Sequence, residues 1–268
     1  MAYTKNRLKK LFKNMILSIV HKSGYEIRSK RAELQLLESS FPPDFTPEEI
    51  EIIKSVKTYT MTGLEALSAL IHAVKYVERN QVPGGIVECG VWKGGSMMTV
   101  AKTLLALKTT ERHLFLFDTF AGMPRPAEVD VSAIGHGRAL DSFAAARTGS
   151  NTSDWTYASL KDVQKAMNST GYPQSKIHFV EGLVEETLPS KAPDAIAILR
   201  LDTDLYSSTR HELVNLYPRL SRGGVLIIDD YGVWQGAKKA TDEYFEQNKI
   251  AILLQRIDFA GVRVAVKL

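Results

Sequence analysis

Residues 85–96 read GIVECGVWKGGS, and residues 113–118 read HLFLFD. In the first stretch a short apolar run ends in an acid, Glu88, with Gly90, Gly94 and Gly95 behind it. The second is another apolar run of strand length, and it ends in Asp118. The spacing between them predicts a helix from Gly94 to Leu107, so the segment reads strand, turn, helix, strand. The same rhythm continues downstream. KIHFVEG (176–182), AIAILRLDTD (195–204) and GGVLIIDDY (223–231) are further strands. Helices are expected over 157–169, 206–220 and 237–247. IAILLQRI (250–257) and GVRVAVKL (261–268) close the chain as a hairpin. Strand–helix alternation implies a mostly parallel sheet covered on both faces, and the terminal hairpin adds an antiparallel strand to make seven. Four strands carry acids at their C-terminal tips: Glu88, Asp118, Asp202 and Asp229. Ligands of open α/β sheets bind outside those tips, and buried carboxylates there need partners. They point to a polar ligand, a metal, or both.

Upstream of this series the chain is helical. Thr46 suits an N-cap and Pro47 the first helical position, which predicts a helix to about Lys57. TYTMTGLEALSALIHAVKYVERN opens a second helix, with Thr62 and Glu65 spaced as a capping box. Residues 119–156 are too long for a plain connector, so they are expected to be functional or partly helical. Residues 1–31 carry nine Lys/Arg against one acid, Glu26, a net of +8; the other 237 residues hold 25 basic and 29 acidic side chains, a net of −4. The basic pI of about 9.0 therefore belongs to the arm. A nucleic-acid partner, which wants a basic face on the folded body, is not expected. Leu8, Leu11, Phe12, Met15, Ile16 and Ile19 repeat at helical spacing with lysines opposite. Three readings of this arm stay open: a helix packed on the body or on a second subunit, a substrate lid or dimer arm, and a contact with anionic lipid.

The 268 residues, 44% hydrophobic and 24% charged, exclude a disordered or low-complexity chain. A lone cysteine, Cys89, excludes an intrachain disulfide and a cysteine-rich zinc site, and reads as a buried filler. No apolar run approaches the ~18 residues of a membrane span, and the arm makes a poor signal peptide. A cytoplasmic protein and a homo-oligomer are expected.

Two constellations carry chemistry. The glycines after Glu88 permit close backbone approach and a tight turn into a helix whose free N–H groups favour an anion. The Gly90-x-x-x-Gly94-Gly95 spacing is not the dinucleotide fingerprint, and no Gly-Lys-Ser/Thr follows to make a P-loop. An acid at the second tip suits a ribose diol. An adenosyl ligand without a pyrophosphate fits this pattern better than NAD. The second constellation joins Asp202 and Asp204 after the fourth strand to Asp229 and Asp230 after the fifth. Neighbouring tips lie ~5 Å apart, so these carboxylates should bind a cation or take up protons. Oxygen ligands suit Mg²⁺, Mn²⁺ or Ca²⁺; the alternative is a solvated acidic rim.

Both constellations occur in one family. YTMTG (59–63), VECGVWKGGS (87–96), LFDTFAGMP (116–124), FVEG (179–182), TLP (187–189), LRLDTDLYSST (199–209), GGVLIIDDYG (223–232) and the A-x-x-A-x-D-E-Y pattern from Ala237 to Tyr244 resemble, in order, the macrocin/mycinamicin/novobiocin-type sugar O-methyltransferases. The resemblance implies a Rossmann-like class I methyltransferase domain over 59–268, preceded by a helical arm or lid over 1–58. It implies S-adenosylmethionine (SAM) as methyl donor, with Glu88, Gly90, Trp92 and Ser96 lining its methionine end. Asp118 would hold the ribose, Gly182 would approach the adenine, and Met61 would reach in from the preceding helical region. Asp202, Asp229 and Asp230 would bind Mg²⁺ or Mn²⁺, which would chelate two neighbouring hydroxyls of a glycoside or natural-product acceptor. Asp202 would take the proton, with Asp204 and His136 as weaker alternatives. A catechol-like phenol is an alternative acceptor. A non-catalytic scaffold using the basic arm is an alternative of another class.

Overall fold

The computed structural model describes residues 41–268; the amphipathic arm and its readings lie outside them. Residues Thr46–Leu268 form one compact unit. It opens with α1 (Pro47–Val56), whose capping box joins Thr46 to Glu49, two orphan donors satisfied reciprocally. Helix α2 (Leu64–Arg79) follows, then β1 (Gly85–Cys89), α3 (Gly95–Ala106) and β2 (Leu114–Asp118). The long stretch after β2 contains one short helix, α4 (Ala139–Ala145). Then come α5 (Leu160–Asn168), β3 (Ile177–Glu181), α6 (Val184–Thr187), β4 (Ile196–Leu201), α7 (Tyr206–Leu216), β5 (Leu220–Ile228) and α8 (Gln235–Gln247). Two short strands, β6 (Gln255–Arg256) and β7 (Arg263–Val266), end the chain.

The sheet order is β3-β2-β1-β4-β5-β7-β6; all pairs are parallel except β5–β7 and β7–β6. This is the expected seven-stranded Rossmann-like arrangement. Alternation along the strands divides the side chains between two layers. Val87, Cys89, Phe117, Leu199, Leu201, Leu226 and Ile228 pack in one core with Leu213 and Leu216 of α7 and Tyr244 and Phe245 of α8. The intervening residues, Glu88 and Arg200 among them, belong to the other layer. Cys89 is a buried free thiol, and burial pushes its pKa well above the ordinary value, as befits a filler. Among the described residues no helix is long and apolar enough to cross a membrane.

Two expectations are corrected. Thr62 and Glu65 form no capping box: α2 starts one residue later, with Gly63 at the N-cap and no side-chain cap. Thr62 instead turns inward, where its hydroxyl accepts from Arg200. The closing hairpin is also shorter than the apolar run 250–257 suggested. Ile250, Ile252 and Leu254 pack against the α8 core as irregular chain, so only two residues of that run pair in the sheet.

The stretch 119–156 is stitched to the body by its own polar groups. Asp130 is 1% exposed and accepts from the backbone N–H groups of Ala127 and Tyr206, both at 2.8 Å. It thereby satisfies the first N–H of α7 from 76 residues away. Gly236 is needed beside it, since a Cβ there would lie 1.9 Å from Asp130 Oδ1. Backbone bonds Ala133 to Val233 (2.7 Å) and Gln235 to Val131 (2.9 Å) complete the seam. Asp130→Ala leaves two part-buried N–H donors without their acceptor, which costs about 1–3 kcal/mol. Calorimetry should show the melting temperature falling by about 2–10 °C, and Asp130→Asn, which keeps only one of the two acceptor oxygens, should also fall. An unchanged melting temperature in the Ala variant would discount the clamp.

Candidate active site

The parallel strands present their C-terminal ends in one row. Cys89 pairs in register with Phe117 and Leu201, and Leu201 with Ile228. The ladder then continues one residue further. Gly90 N–H donates to Phe117 O (2.9 Å), Asp202 N–H to Cys89 O (2.8 Å), Asp229 N–H to Leu201 O (2.9 Å) and Gly182 N–H to Asp118 O (3.0 Å). Asp118, Asp202 and Asp229 are thus held by backbone bonds in the lining of one cavity of about 440 Å³. The cavity is lined by Met61, Gly90, Trp92, Ser96, Asp118, Gly182, Asp202, Asp204, Asp229, Asp230 and His136. The sites expected from distant segments therefore converge.

Gly90 has φ +81°, and a Cβ there would lie 1.8 Å from the carbonyl oxygen of Asp202. The close approach that requires glycine is to the neighbouring strand tip, not to a ligand alone. Gly95 likewise lets the start of α3 abut Tyr59 and Thr60, where a Cβ would come within 2.6 Å. Asp118, expected to hold a ribose, is already engaged by backbone groups. Its Oδ2 accepts from the N–H groups of Val91 (2.7 Å) and Trp92 (3.0 Å), and its Oδ1 accepts from Phe120 N–H (2.8 Å). One carboxylate thereby shapes both flanking loops and keeps acceptor capacity on Oδ1 for a hydroxyl.

Glu88 departs from expectation. It is 1% exposed and does not line the cavity. Burial pushes its carboxyl up to about 7, against the pull of Arg200, to which Oε1 is bound at 2.6 Å. Its Oε2 is buried without a partner. A buried acid with an unpaired oxygen next to the Gly90 turn favours a cationic group nearby, so the residues fit an amino-acid-bearing ligand such as SAM.

The acid cluster also holds a surprise. Ligand oxygens of Asp202, Asp229 and Asp230 lie within 4.8 Å of one another. However, the cation between two of them belongs to the protein. Arg200 Nη1 donates to Asp202 Oδ2 (2.5 Å) and Nη2 to Asp229 Oδ1 (2.6 Å). Asp230 Oδ2 accepts from Asp204 N–H (2.9 Å). Burial, with the other acids adding to it, holds Asp202 and Asp230 well above the usual carboxylate range. Asp204, at φ +65°, is raised as well. Such a set of hard oxygens, costly to ionise together, suits a divalent cation.

The remaining cavity wall was only partly expected from the sequence. Met123, Pro124, Ile134, His136, Trp155 and Thr156 come from the expected 119–156 stretch. Val233, Trp234, Asp258, Ala260 and Val262 come from two loops that carried no signal. Trp155 and Trp234 meet edge to face at 5.8 Å between centroids. Arg200 was missed too, although an arginine inside the apolar run AIAILRLD was a visible anomaly.

The sequence matches the family model described as Macrocin-O-methyltransferase (TylF) over residues 54–265. It is 30% identical to demethyldecarbamoylnovobiocin O-methyltransferase of Streptomyces niveus, over 94% of this chain and 92% of that one. It is 31% identical to a Streptomyces olivaceus 4'-O-methyltransferase of 8-demethyl-8-(2,3-dimethoxy-alpha-L-rhamnosyl)-tetracenomycin C, over 93% and 92%. The solved O-methyltransferase NovP superposes with a TM-score of 0.68 at 32% identity, covering 78% of this chain and 82% of that one.

One buried acid supports the loop from below. Glu212 of α7 accepts from Thr203 Oγ1 at 2.9 Å, its Oε2 has no partner, and burial pushes its carboxyl up to about 8. The folded state therefore holds a proton that the unfolded chain releases near 4.5. The stabilisation is complete below that value and is lost as pH rises through 8. Glu212→Gln keeps the neutral shape and removes the titration. Its melting temperature should gain on wild type by about 5 °C or more between pH 5 and pH 9. Parallel curves would mean that Glu212 is ionised in the fold.

Proposed function

The chain belongs to the macrocin O-methyltransferase family of SAM-dependent O-methyltransferases, and from that premise we propose that it methylates a sugar hydroxyl flanked by a second hydroxyl, with a divalent metal held by Asp202, Asp229 and Asp230. The observation that carries the metal is the convergence of three carboxylates within 4.8 Å on the floor of the same cavity that Gly90, Trp92, Ser96 and Asp118 line. A scaffold protein has no use for such a set. The relatives' names support a glycoside or natural-product acceptor, and the apolar walls at Met123, Trp155 and Trp234 suit an apolar aglycone beside a polar ring.

SAM supplies the methyl group as a sulfonium, and Mg²⁺ or Mn²⁺ would supply Lewis acidity to the paired hydroxyls. The protein supplies position and charge. Glu88, just behind the cavity lining, lends its carboxylate charge to an ammonium, and Asp118 offers Oδ1 to a ribose hydroxyl. Asp202 Oδ1, the oxygen not bound to Arg200, receives the proton that the attacking hydroxyl loses. Asp229 and Asp230 complete the ligand set. A catechol-like phenol would use the same acids, so a panel of glycosides and catechols decides between the acceptors.

EDTA should abolish methyl transfer, and Mg²⁺ should restore it. Asp229→Asn should lower turnover about 100-fold while leaving affinity for S-adenosylhomocysteine (SAH) within about threefold. Full activity in EDTA would overturn the metal and leave Asp202 as a simple base.

A further inference from the structure

Arg200 is 3% exposed and lies inside β4, paired in register with Glu88 of β1. Its guanidinium reaches four side chains. Nη1 donates to Glu88 Oε1 (2.6 Å) and Asp202 Oδ2 (2.5 Å); Nη2 donates to Asp229 Oδ1 (2.6 Å) and Thr62 Oγ1 (3.1 Å). Three of these are acids, and they serve different ends of the cavity. Glu88 stands behind the donor end, whereas Asp202 and Asp229 form the acceptor end.

We propose that Arg200 is a positioning residue shared by both ends: one planar fork fixes the Glu88 carboxylate toward the methyl donor and the Asp202 and Asp229 carboxylates toward the metal. The proposal rests on the ligand assignments above. Its physical basis is geometric. A guanidinium keeps its charge and offers several directed N–H groups in one plane, so four acceptors on four segments are oriented by a single side chain. Each aspartate gives Arg200 one oxygen and retains the other for a ligand. Thr62 extends the hold to the segment before α2. The aspartates are thus arranged before any ion arrives, and their mutual repulsion is already offset.

A purely electrostatic role predicts something different. If Arg200 were only a counter-charge, Arg200→Lys would behave as wild type, and Arg200→Gln would bind a cation more tightly because a repelling charge is gone. Positioning predicts weaker binding in both variants. The test uses the full chain stripped with EDTA. Mn²⁺ affinity is read by electron paramagnetic resonance and SAH affinity by calorimetry, with melting temperatures to confirm folding. Both variants should weaken Mn²⁺ and SAH by about tenfold or more, the usual effect of losing a group that orients ligands. Arg200→Lys, which keeps the charge and the buried stem, decides the matter if Arg200→Gln does not fold. Wild-type affinities in Arg200→Lys, or tighter Mn²⁺ binding in Arg200→Gln, would overturn the proposal. So would a lower melting temperature with both affinities unchanged, which marks a merely structural role. If wild type itself binds no Mn²⁺, the metal reading fails by itself. The SAH arm then judges Arg200: a tenfold loss upholds it at Glu88, and no loss overturns it.

Discussion

A guanidinium buried among three carboxylates sets the terms for the rest of this protein. Taking Arg200 out of water is costly, and only close, directed pairing offsets the cost. Burial works against its charge, while Asp202, Asp229 and Glu88 favour it. That pairing needs β1, β4 and β5 in fixed register, because a slip of one residue would send Arg200 into the apolar layer occupied by Leu199 and Leu201. It also needs the strand tips close together, which is why Gly90 must carry no Cβ against the Asp202 carbonyl. The sheet and the site therefore share one constraint.

Above that floor the cavity walls are built differently. Asp118 and Asp130 are both acids that spend themselves on backbone N–H groups, and each fixes a loop that has no regular structure of its own. The floor is rigid sheet and the walls are stitched loops. Such a division lets one reaction floor accept walls of varied shape. The paired indoles of Trp155 and Trp234 lie in the wall, and Asp202, Asp229 and Asp230 lie in the floor.

Elements whose cause is local were legible. Apolar runs marked the five parallel strands, four of them ending in the acids Glu88, Asp118, Asp202 and Asp229, and Thr46-Pro47 marked the start of α1. The grouping of Asp202, Asp229 and Asp230 followed from strand order alone. Local reasoning erred where a polar side chain had a better partner far away. Thr62 has the spacing of a capping residue, yet its hydroxyl accepts from Arg200, 138 positions along the chain. The family resemblance implied that Glu88 lines the cavity, but its burial and its pairing with Arg200 hold it just behind the lining. The run 250–257 is apolar enough for a strand, but its apolar side chains serve the α8 core.

By itself the sequence determined the layered α/β architecture, the acidic strand tips and the family motifs, since these depend on periodicity and on residues close in the chain. Only the tertiary structure decided that Arg200 pairs with the acids, which loops complete the cavity wall and which acids line the cavity. Those outcomes depend on contacts between segments up to 138 residues apart. Such contacts are set by packing and desolvation after the sheet has formed, and no local pattern encodes them.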